Sequence, residues 1–211
     1  MWYGHRLTTT FIMSELPEGW PERPEDAPYF PPGWLKAKGW PTFERAASGM
    51  VKPAGVNSWR RIVDPLATGS GAVDAYREAP AHPRRFAARL GRTIFTNGKK
   101  DCELVAGLYA DTLFGAFGNT RVLQYRFAMW TDEEAVQLAE VLPLALHAEK
   151  LDLFGNGGIG QRGLDALAEA VCAGAAPKLR VIVFHTHPVD AWGRKADALR
   201  EACKQRGIRE G

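Results

Sequence analysis

The sequence predicts an α/β chain: a short stack of strand–turn–helix units preceded by an irregular region rich in proline and tryptophan. Three observations carry this. Seven of the 14 prolines lie between Pro17 and Pro41, and five of the seven tryptophans lie at or before Trp59. From Thr93 onward the pattern changes to strand, turn and amphipathic helix. Finally, the leading strand residues Ile94, Leu123, Leu151 and Leu179 recur at intervals of 29, 28 and 28. A fixed period in the high twenties, with one strand and one helix per unit, marks a solenoid: one unit cannot bury both its strand and its helix face, whereas stacked neighbours can. The expected organisation is residues 1–92 as the irregular region and 93–211 as about four units, the outer two divergent.

In the first region Gly-Trp occurs at 19–20, 33–34 and 39–40. Prolines at this density stop helices and central strands, while the aromatic content argues against simple disorder. The segment reads as a wrapping strap whose rings pack on a neighbouring core; Pro31-Pro32 also suits an aromatic groove on a partner. Helices are predicted from about Thr42 to Met50 and near Pro83–Leu90, with a loop around a short helix between them.

A longer helix is predicted from Asp101 to Phe117, with Leu104, Val105, Leu108, Tyr109, Leu113 and Phe117 on one face and Asn97 or Asp101 at its start. "RVLQYRF" alternates as a strand does, and Thr131 with Glu134 forms a capping box for the helix that follows. The cycle repeats in "KLDLFGNGGIGQRGLDALAEAVCAGAAP" and in "KLRVIVFHTHPVDAWGRKADALREACKQRGI".

One unit is specific enough to resemble a family. Leu151, Leu153, Asn156, Ile159, Gly160, Gly163, Leu164, Leu167 and Ala168 match the pattern of a ribonuclease-inhibitor-type leucine-rich repeat, and the resemblance extends over about Thr93 to Gly211. It implies a right-handed β-α solenoid, with parallel strands on a concave face and helices on the convex one. The flanking units are looser: Phe127 or Ala128 takes the Asn position in one, and histidines replace the Asn turn in the next. The last helix resembles the closing helix of such arrays. Upstream, "GWPTFERAASGMVKP" resembles a segment that precedes such repeats in uncharacterised algal proteins, where it ends a larger domain; on that resemblance the chain starts partway through a domain.

Composition limits the function classes. The net charge is +3 and basic residues come only as short pairs, without the footprint that nucleic-acid binding leaves. Cys102, Cys172 and Cys203 form no CxxC pair, which fits a reducing compartment rather than a disulfide framework. The N-terminus lacks a signal-peptide core and no stretch has the length to span a bilayer. The expectation is a cytoplasmic chain without a cofactor or a membrane partner.

The string His185-Thr186-His187-Pro188 raises a metal reading. It resembles part of a JAMM-type zinc isopeptidase site, which would use His185, His187 and Asp197 as ligands. Three protein ligands leave zinc a position for water, whose pKa falls to about 7. The serine of that site would fall at Arg194, however, and the His-to-Asp spacing is one residue short. The preferred reading is a repeat turn, with the zinc hydrolase as the alternative. No serine sits in a nucleophile-elbow context, and "GNGGIG" lacks the Lys-Ser/Thr of a phosphate loop, so a non-catalytic role is expected.

Strand alternation sends Leu123, Tyr125 and Phe127 inward, and Leu179, Val181 and Val183 likewise. It thereby predicts a concave face of Gln124, Arg126, Asp152, Phe154, Arg180, Ile182 and Phe184. Phe154 and Ile182, rimmed by Arg126, Asp152 and Arg180, have the composition of a protein-binding patch. The competing reading is that the Pro/Trp-rich region folds across those residues.

Overall fold

A computed structural model describes residues 5, 8–11, 38–52, 62–64, 73–74, 77–95, 97–184 and 193–211. The chain is mixed α/β, with two sheets and six α-helices among the described residues. In the smaller sheet, β1 (Thr10–Phe11) runs parallel to β2 (Ile62–Asp64), which pairs antiparallel with β3 (Val73–Asp74). The larger sheet is wholly parallel and follows chain order: β4 (Val122–Gln124), β5 (Lys150–Asp152), β6 (Val181–Val183) and β7 (Arg209–Glu210).

The helices are α1 (Gly39–Gly49), α2 (Pro83–Leu90), α3 (Lys99–Thr112), α4 (Asp132–Val141), α5 (Gln161–Cys172) and α6 (Asp197–Gln205). Proline opens α2, where its missing N–H costs nothing. The start of α3 has no side-chain cap; the Asn97 amide donates instead to the Asp101 carboxylate. The helix runs on through a π-turn at Leu113–Phe117, and Leu104, expected inside, points to solvent. The capping box at Thr131 and Glu134 is present, with the Glu134 carboxylate accepting from Thr131 N at 2.7 Å.

Helices α4, α5 and α6 pack in sequence against one another. The close α4–α5 contact explains Gly163, where a Cβ would stand 2.8 Å from the Ala135 Cβ. The amides of Gly160 and Gly163 both donate to Asp132 Oδ1, at 2.7 and 2.8 Å. An internal carboxylate thus takes the N-terminal donors of α5. One continuous apolar core runs from Phe43 to Ile208. Within it Phe86 stacks on Tyr109 and Tyr125 on Trp130, with ring centroids 3.7 and 4.5 Å apart.

Three expectations are corrected. Ile94 does not open a strand of the parallel sheet; it bridges Lys38 and is 60% exposed. The edge of β4 is closed differently. Arg77 donates from Nε to Gly49 O (2.7 Å) and from a terminal nitrogen to Gln124 O (2.8 Å), and Tyr125 donates its hydroxyl to Met50 O (2.6 Å). A buried guanidinium, itself held by the C-terminal end of α1, stands where a neighbouring strand would lie. Second, the fourth strand is β7, which is only two residues long and follows α6.

Third, Leu151 lies beside Ile182 rather than Leu179. The helix α5 has 12 residues against ten in α4, and the loop before it is one residue longer. That odd offset turns β6 over, because side chains alternate along a strand. Ile182 and Phe184, expected on the open face, are fully buried, and Val181 and Val183 take their places.

Candidate interaction face and rim

The register of β4–β7 sets the open face row by row. Val122, Lys150, Val181 and Arg209 lie side by side, and the next row begins Gln124, Asp152, Val183. Arg126 and Phe154 stand at the strand ends beyond them, with the Arg126 guanidinium 4.7 Å from the centre of the Phe154 ring. Of the face expected from sequence, Gln124, Arg126, Asp152 and Phe154 come together. Arg180 is exposed but precedes β6, and Ile182 and Phe184 belong to the core.

Asp152 is only 2% exposed. Its Oδ1 accepts from Phe154 N at 3.2 Å, while Lys150 Nζ and Arg126 Nε lie 3.6 and 3.7 Å from the carboxylate. Sequence reasoning found this acid but placed it in solvent. Burial between two cations makes it a fixture that orients them.

The rim contains residues that sequence reasoning assigned elsewhere. Phe127, expected inside, adopts φ 50° and is 46% exposed; Met129 adopts φ 56° and is 65% exposed. Left-handed backbone costs a residue with a side chain about 1–2 kcal/mol, so something must hold it. Asn156, fully buried, does so. Its Oδ1 accepts from Ala128 N (3.0 Å) and Trp130 N (3.1 Å), and its Nδ2 donates to Tyr125 O (2.7 Å) and Leu153 O (2.8 Å). Two alternate amides converge on one oxygen in a compact turn, with left-handed Met129 between the two donors and left-handed Phe127 just before them. Ala128 and Trp130 then face inward, and Phe127 and Met129 are thrust outward. Phe127 meets Phe154 edge to face, with centroids 5.2 Å apart, and lies over Gly155, whose φ is 79°. The result is an aromatic pair, Phe127 and Phe154, beside Arg126, with Met129 exposed two residues after Phe127 and strain concentrated in Phe127 and Met129.

Residues 185–192, including His185 and His187 of the alternative zinc reading, lie outside the described residues. Asp197, its third ligand, opens α6 and pairs with Arg200 at 3.1 Å. Among the described residues no group of three or more His, Cys, Asp or Glu could hold a metal ion, and no helix is long and apolar enough to cross a membrane. No family model, curated protein or solved structure matches the chain in comparisons with each.

Proposed function

We propose that residues 122–211 form a short solenoid of the ribonuclease-inhibitor leucine-rich-repeat type and act as a non-catalytic module that binds another protein. Strand–helix units that stack in parallel and in chain order support the repeat reading, as does the buried Asn156, which ties the chain after β4 to the turn after β5. Binding is assigned to the open face and its aromatic rim. The observation that carries it is the pair Phe127 and Met129, held outward in strained conformations by Asn156. A stable core gains nothing from exposing those side chains, whereas a rigid apolar anchor pre-organised for contact gains affinity.

Selection of a displayed random-peptide library on the folded chain tests this. Retained peptides should shift the amide resonances of residues 126–129 and 152–155, and Phe127→Asp should weaken them at least about tenfold. No retained peptide, or shifts confined to α2 and α3, would overturn the assignment.

A further inference from the structure

We propose that the open face selects an acidic peptide in the polyproline II conformation, with two carboxylates three residues apart; this rests on the docking assignment above. The inference starts from the charges that reach solvent. Arg126, Lys150 and Arg209 line the face, and the only carboxylate among its described rows is Asp152. Because that carboxylate is buried, with Arg126 and Lys150 sharing it, it neutralises the face only in part and leaves it cationic. Glu210 does not restore the balance, since it pairs with Arg200 of α6 at 3.4 Å on the helix side of the sheet.

The register adds spacing. Lys150 and Arg209 occupy the same row on strands separated by β6, so about 10 Å of sheet lies between them at the usual strand separation. Val181 sits between them and Val122 flanks Lys150, so the row alternates apolar, cationic, apolar, cationic. A polyproline II chain has three residues per turn and rises about 3.1 Å per residue. Side chains three apart therefore share one side of such a chain at about the separation of the two cations. Its backbone needs no partner hydrogen bonds, which suits a sheet face that offers side chains only.

The test uses two pools of fluorescein-labelled heptapeptides. One has Asp at the third and sixth positions and proline at the fifth, and the other has Lys in place of Asp. Polarisation against the full chain should favour the Asp pool at least about tenfold, and the preference should shrink as salt rises. Lys150→Glu/Arg209→Glu should abolish it, while Lys150→Arg/Arg209→Lys should retain it and control for folding. Equal binding of the pools, or binding unchanged by the charge reversal, would overturn the proposal. If the unbiased selection still yields rim-binding peptides, only the charge inference falls; if it yields none, the docking assignment falls first. The chain carries its own acidic pairs at this spacing, Glu15/Glu18 and Glu22/Glu25. Tighter binding of the Asp pool to a Glu15→Lys/Glu18→Lys/Glu22→Lys/Glu25→Lys chain would make that segment the occupant and overturn an external one.

Discussion

The Phe127 ring fills the space in which a side chain at Gly155 would begin, so the last aromatic of one unit is seated on the backbone of the next. Gly155→Ala therefore meets two penalties, a displaced ring and a Cβ at φ 79°. The expected loss is about 1–2 kcal/mol, read as a lower urea midpoint with an unchanged slope. Peptide affinity should fall further than stability does, because the anchor moves.

Asn156→Ala should be far more costly than Gly155→Ala. It strands the amides of Ala128 and Trp130 and the carbonyls of Tyr125 and Leu153. Each buried group left unpaired costs about 1–3 kcal/mol, so a loss of about 4 kcal/mol or more is expected in chemical denaturation. A loss under about 1 kcal/mol would show that water replaces the amide.

Arg77→Ala removes the donor that closes the β4 edge at Gln124 O and the cation 4.5 Å from the centre of the Tyr125 ring. A destabilisation of about 2–4 kcal/mol is expected. An unpaired strand edge templates association, so light scattering should rise at temperatures below the unfolding midpoint. Scattering that begins only with unfolding would argue against the edge-closing role.

Burial holds the hydroxyls of Tyr109 and Tyr125 protonated well above the usual tyrosine range. Above about pH 10 the unfolded chain loses these protons and the folded chain keeps them. The unfolded state then binds fewer protons, so stability falls as pH rises. The protein should be insensitive to these groups below pH ~9 and lose up to about 1.4 kcal/mol per pH unit per ring above ~10. Tyr125→Phe, although less stable at neutral pH, should show a shallower alkaline decline.

Much of the α/β pattern was readable because periodicity reports burial directly. Thr131 and Glu134 predicted their capping box, and the segments at Thr42–Met50 and Pro83–Leu90 lie at observed helices. The register of β6 was not legible. Val181 to Phe184 is apolar without alternation, so the strand itself does not say which side is inside, and the odd number of extra residues in α5 and the loop before it decided it. The two-residue β7 carries only Arg209 and Glu210, a charged pair with no strand signal. Phe127 and Met129 were hidden for another reason. Their backbone is dictated by a side chain 26 to 28 residues away from the amides it binds, which no local pattern reveals.

That dependence has a temporal side. During synthesis, residues 127–130 emerge before the asparagine that shapes them, and until Asn156 arrives the amides of Ala128 and Trp130 lack their acceptor. The nascent loop has no reason to hold its two left-handed residues, and Phe127 and Met129 are not yet presented. The shape of the rim is therefore a late event on the ribosome: a chain arrested between the two units displays the residues of the rim without their arrangement.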